Sequence, residues 1–127
     1  MVVEALVTIS IEWRRRIAVL AGGGMGAGAR YGISLIVTDA LFGTFAVNVL
    51  GAGLIGYVVA RLRLAGRSRS VSVPLIGVGF LGAFTTFSSF AVQLVEGPFL
   101  RSLAYGAASL AVGLIACGFG LLMGRRQ

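Results

Sequence analysis

Gly82-Ala83-Phe84-Thr85-Thr86-Phe87-Ser88-Ser89-Phe90 decides how this chain is read. The stretch sets hydroxyls and phenyl rings in the middle of an apolar run, residues 73–95, long enough to cross a bilayer. Lipid offers a hydroxyl no hydrogen-bond partner. The segment therefore either packs inside a bundle or lines a path for a polar solute.

The rest of the chain is equally apolar. Hydrophobic residues make up 57% of the 127, and mean hydropathy is +0.98. Soluble domains hold roughly 45–50% apolar residues, and so short a chain cannot bury this excess in a water-soluble core. Four runs approach the roughly 17–25 residues that a spanning helix needs: 17–37, 43–60, 73–95 and 102–123. The expected fold is all-α, a four-transmembrane-helix membrane protein with short connections. The first run is too long for a signal segment, and more spans follow it. Residues 1–16 read as a cytoplasmic or interfacial segment ending in Arg14-Arg15-Arg16, and 17–127 as one transmembrane domain.

Net charge is +7, and every basic residue is arginine. In a soluble domain a pI near 11.4 would suggest nucleic acid. Here basic loops set topology. Arg14, Arg15, Arg16, Arg61, Arg63, Arg67, Arg69, Arg125 and Arg126 fall on one side of a four-span arrangement. The other side has Arg101, with Asp39 and Glu96. Both termini are thus expected in the cytoplasm of a multi-pass plasma-membrane protein, with anionic lipid headgroups, not nucleic acid, as partners of the arginines. There is no histidine, which removes the commonest general base and transition-metal ligand. Cys117 is alone, so no intrachain disulfide forms. The chain does not read as an enzyme.

Glycine supplies 20 residues, mostly within the apolar runs, where it lets membrane helices approach closely. Gly22 and Gly26, and the offset set Gly24, Gly28 and Gly32, follow small-xxx-small spacing. Gly106 and Gly113 give the last run a small face. A tight bundle, and a dimer, is the expected product. Two matches to G-x-G-x-x-G, at 51–56 and 77–82, lie inside apolar runs and do not follow a strand. They read as helix packing and not as a dinucleotide site. Residues 61–70 form the long polar connection, and Gly97-Pro98 a tight turn.

Polar groups at membrane depth are the candidate functional residues. Arg30, beside Tyr31, either snorkels to the interface or supplies a fixed positive charge to a vestibule. Asn48 either bonds a neighbouring helix or donates to a passing anion. Thr86, Ser89 and Gln93, at i, i+3 and i+7, share a helix face, with Thr85 and Ser88 beside them. Phe80, Phe84, Phe87 and Phe90 recur at helical spacing. They either pack or turn their electropositive ring edges to an anion. Gly82 followed by two β-branched threonines marks a helix break whose carbonyls could hold a cation. No Asp, Glu or Lys lies within a span, so no group is present to couple transport to protons or cations. The pattern points to passive flow of an anion.

Three segments carry a resemblance: 22–31 (GGGMGAGARY), 43–48 (GTFAVN) and 79–90 (GFLGAFTTFSSF). In this combination, order and spacing the chain resembles the Fluc family of fluoride channels, also called CrcB, from about Ile17 onward. The resemblance implies an antiparallel dimer of four-helix subunits, each with a broken third helix, and two pores at the interface. It implies passive export of fluoride from the cytoplasm. It assigns Phe87 and Phe90 to the pore, with Asn48, Arg30, Tyr105 and Ser109. The hydroxyls of Thr86, Ser88 and Ser89 lie beside them as donors. It also implies a structural Na+ ion at the dimer centre, not transported, on the backbone carbonyls of Gly82 and Thr85. The chain departs from the family pattern at Ala91, Gln93, Gly113 and Cys117. These positions bear on whether every pore it lines conducts.

The arginine bias adds an expectation of its own. A chain that inserts both ways needs nearly balanced charge, and this one is lopsided. It is expected to insert one way and pair with a homologous subunit of opposite bias, the alternative being a second copy of itself. Two other classes compete with this reading. A small multidrug-type exporter needs a membrane-embedded glutamate in its first helix, which is missing. A non-conducting assembly subunit would differ in carrying no flux.

Overall fold

The structure, a computed structural model, describes residues 2–64 and 72–126, with side chains for 12–62 and 72–126. Its elements are α1 (Val2–Ile36), α2 (Ala40–Leu64), a π-helical segment (Val73–Phe80), α3 (Leu81–Phe84), α4 (Phe87–Glu96) and α5 (Phe99–Arg125). No strand occurs among the described residues, so the fold is all-α as expected. Arg67, Arg69 and most of the 61–70 connection lie outside the described residues, as does the side chain of Arg63.

Three of the four expected spans are helices long and apolar enough to cross a membrane: Ala40–Leu62, Val73–Glu96 and Phe99–Arg125. The first run lies within α1 but is not among them, because Arg30 and its many glycines dilute its apolar content. α1 continues unbroken from Val2 through Arg14, Arg15 and Arg16 into that run. On its exposed N-terminal part, Arg16 lies 3.4 Å from Glu12 and over the Trp13 ring. The chain turns at residues 37–39. Asp39 then caps α2, accepting the Phe42 N–H at 2.8 Å, and so satisfies one of the donors a helix start leaves free.

Two helix pairs make up the bundle. α1 packs along the π-helical segment and α3, and α2 packs along α5. The glycines explain both contacts. A Cβ on Gly22 or Gly26 would strike the backbone carbonyl of Leu75 or Phe80. A Cβ on Gly56 or Gly120 would strike that of Cys117 or Gly53. Backbones touch at these points, which only glycine permits. Gly56 and Gly79 thus give the two G-x-G-x-x-G matches a packing role. The offset set Gly24, Gly28 and Gly32 faces open space.

The third span joins the pairs. Its first half belongs to α1, while α4 rests on α2 and α5. The small core sits at the joint, with Leu81, Phe84 and Val47 at 1%, 6% and 3% exposure. Around it large apolar side chains such as Leu20, Ile36, Phe87 and Val95 stand exposed. A water-soluble monomer does not expose apolar surface on this scale.

Candidate functional site

Thr85 and Thr86 break the third span. Both are extended, with φ/ψ of −77/159° and −142/115°. Gly82 lies inside α3 and not at the break itself. The cause of the break comes from another helix. Asn48, on α2, accepts the Thr86 N–H at 2.8 Å and donates from Nδ2 to the Thr86 carbonyl at 3.0 Å. One carboxamide thus satisfies both backbone polar groups of Thr86, which would otherwise be stranded in an apolar setting. Of the two roles open to Asn48, the geometry displays the interhelical one.

Carbonyls before and at the break go without the donors that a continuous helix would give them. Gly82 O would accept from Thr86 N–H, which Asn48 has taken. Thr85 O would accept from Ser89 N–H, which instead goes to Thr86 Oγ1 at 3.2 Å. Ala83 O receives the Nε–H of Arg30 at 3.2 Å. Arg30 therefore reaches inward to the break instead of snorkelling outward. The remainder of its guanidinium has no hydrogen-bond partner among the described residues. Gly82 is exposed, with open space where a Cβ would stand. Neutral carbonyls without donors, open to one side, suit a small cation such as Na+.

Beside the break lies a cavity of about 220 Å³ between α1, α2 and α4. Arg30, Thr86, Ser89 and Gln93 line it, with Thr44 and Ser34. None of its lining residues is acidic. Its hydroxyls form a short network. Thr86 Oγ1 caps α4, donates to Ser89 Oγ at 3.1 Å and meets Ser88 Oγ at 3.2 Å. With that donation made, the proton of Ser89 is uncommitted. Gln93 closes one end. Its Nε2 donates to Ala40 O and to Thr44 Oγ1, each at 2.9 Å, and its Oε1 accepts from Tyr105 at 2.9 Å.

The phenylalanines divide despite their common spacing. Phe84 is buried and stacks on Phe80, with centroids 5.7 Å apart. Phe87 is 79% exposed. It leads to Phe90 at 6.1 Å and on to Tyr105 at 5.7 Å, all tilted. This aromatic row lies outside the cavity lining and meets the polar cluster at Tyr105, which bonds Gln93. Ser109 stands one helical turn beyond Tyr105 on α5, and Ser88 is exposed beside Phe87.

Thr44 is not among the candidates that the sequence pattern marks. It is 8% exposed and bonded to Gln93. Its position four residues before Asn48, on the same face of an apolar helix, was a readable signal. Ser34, by contrast, satisfies itself locally on Tyr31 O at 2.7 Å.

Residues 17–121 match the family model for the CrcB-like protein, Camphor Resistance (CrcB). The chain is similar to Fluoride-specific ion channel FluC 1 of Mycobacterium bovis, 37% identical over 123 residues, covering 91% of this chain and 93% of the relative. FluC 2 of Bacillus subtilis is 37% identical over 114 residues, with 86% of each chain covered. FluC 1 of Methanospirillum hungatei is 38% identical over 109 residues, 84% of this chain and 77% of the relative.

Proposed function

This chain belongs to the CrcB-like family, and from that membership we propose that it is a fluoride-selective channel, a passive route by which fluoride leaves the cytoplasm. The observation that carries the reading is the donor set at the break. Fluoride is small and strongly hydrated, so a pathway must replace its water with good donors and still release it. The cavity offers spare Arg30 N–H groups and the free Ser89 proton, with no carboxylate to repel an anion. Phe87 and Phe90, tilted in a row with Tyr105, would turn ring edges of weak positive potential to the ion. Asn48 acts by holding the break open, and Thr86, Ser88 and Ser109 complete the polar path. Without an acidic group inside a span, flow is passive.

The working unit in this reading is an antiparallel dimer in the plasma membrane, with α1 as the fourth span and both termini in the cytoplasm. The exposed apolar faces favour a partner, and the arginine bias favours a homologous subunit of opposite topology over a second copy. The carbonyls of Gly82 and Thr85 would hold a structural Na+ at the dimer centre. The ion would supply positive charge between two breaks, and the donor-less carbonyls support its fit.

Fluoride efflux from liposomes, read with a fluoride electrode, tests the proposal. Phe87→Ile should lose most flux yet unfold like the wild type, because Phe87 is 79% exposed and holds no core. Wild-type flux in that variant would refute the pore assignment.

A further inference from the structure

A second, smaller cavity of about 40 Å³ lies at the opposite end of the Gln93–Tyr105 cluster from the break. It is lined by Leu41, Gln93, Gly97, Arg101, Ser102 and Tyr105. The turn at Gly97-Pro98 creates it by folding α5 back against α4. By the arginine bias this is the outer end of the bundle.

The chemistry of its wall is one-sided. Ser102 is 7% exposed, and its Oγ is buried with no hydrogen-bond partner among the described residues. A buried hydroxyl left so is costly unless something fills the site. Gly97 lies close beside it; a Cβ there would stand 2.7 Å from Oγ. Arg101, next in sequence, carries the only charge in the wall. Tyr105 gives its proton to Gln93 Oε1 at 2.9 Å and Leu41 O at 3.3 Å. The wall thus sets an unpartnered hydroxyl and a guanidinium around the space and holds no carboxylate. Glu96 is exposed and not part of the wall.

We propose that this cavity is an outer anion site, holding one small monovalent anion with part of its water between the Ser102 hydroxyl and the Arg101 guanidinium. A water needs roughly 10–15 Å³ of such space, so the volume admits an ion and one or two waters. The identity of the anion as fluoride rests on the channel reading above. The site would gather fluoride at the outer mouth and pass it to Tyr105 and Gln93.

Two measurements on the purified, assembled channel test this separately from conduction. The first is fluoride flux in liposomes against fluoride concentration. The second is broadening of the free-fluoride 19F resonance by detergent-solubilised protein. Ser102→Ala should raise the half-saturating concentration by about two- to tenfold, the size of one hydrogen bond. Arg101→Gln should raise it by about two- to fivefold, an effect that high salt removes. Both should leave maximal flux intact and reduce the broadening. If neither variant moves the half-saturating concentration or the line width, the cavity holds water only and the proposal is overturned. The line width decides where the two disagree. Broadening that falls in both variants of a chain without flux would keep this site and overturn the channel reading instead.

Discussion

Asn48→Ala asks whether one side chain holds the third span open. In the wild type the carboxamide closes a ring with the backbone N–H and C=O of Thr86, through bonds of 2.8 and 3.0 Å. Thr86 is 9% exposed, so the truncated variant gives water little access to the two groups it strands. In a water-soluble core each stranded group would cost about 1–3 kcal/mol. Interhelical hydrogen bonds in membrane bundles measure less, about 0.6 kcal/mol on average and about 1.7 at most, because a chain unfolded in lipid also finds partners. The membrane scale governs here. Two bonds then give a loss of about 1–3 kcal/mol. The freed Thr86 N–H also lies four residues after Gly82, whose carbonyl lacks its helical donor. The variant can recover part of the loss by closing the helix across the break. That repair would remove the donor geometry on which conduction depends.

Asn48→Ala should therefore lower the unfolding free energy by about 1–3 kcal/mol in a reversible denaturation assay and abolish fluoride efflux from liposomes. The pairing of outcomes is what tests the reasoning. Loss of flux with wild-type stability would mean that the carboxamide acts on the ion directly. Wild-type behaviour in both assays would mean that the break is held elsewhere.

Three further outcomes follow from the same geometry. Gly26→Ala should cost about 1–3 kcal/mol or prevent assembly, because its Cβ meets the Phe80 carbonyl, whereas Gly28→Ala, facing open space, should stay within about 0.5 kcal/mol; thermal unfolding in detergent compares them. Gln93→Leu removes three bonds of 2.9 Å and should destabilise by about 1–3 kcal/mol, with Tyr105→Phe, which loses the hydroxyl alone, costing less in the same assay. Arg30→Gln should cut efflux by about tenfold or more, matching the roughly 1.5–3 kcal/mol of a charge-assisted hydrogen bond; flux within twofold of wild type would remove Arg30 from the pathway.

Much of the fold was legible because bilayer thickness leaves a long apolar run few options. Asp39 before α2 and Gly97-Pro98 before α5 are local signals, and they start helices where local chemistry requires. The break shows where local reading stops. Gly82 with two threonines marks the region, yet Gly82 stays helical and the chain opens at Thr85 and Thr86. The deciding partner, Asn48, is 38 residues away, and no local propensity encodes it. Periodicity fails in the same way on α1. Gly22 and Gly26 share the spacing of Gly24, Gly28 and Gly32, but only the first pair meets a backbone. Phe84 and Phe87 are likewise equivalent by spacing, and are 6% and 79% exposed.

The site is best understood by asking which hydrogen-bonding capacity remains after the fold has used its share. Asn48 spends both ends of its amide on Thr86, and Gln93 spends its amide on α2 and Tyr105. The polar groups most visible in the sequence are thus largely occupied in holding helices together. What is left over is specific. Arg30 uses Nε on Ala83 and keeps its remaining N–H groups, and Ser89 accepts from Thr86 and keeps its proton. On the opposite side of the balance, Gly82 and Thr85 are left with carbonyls and no donors. Spare donors collect in the cavity and spare acceptors at the break. Anion and cation sites can then lie a few residues apart on one interrupted helix, without a charged pair between them. Ser102 extends the same logic to the outer end, where a donor with no acceptor marks the next place for an anion to rest.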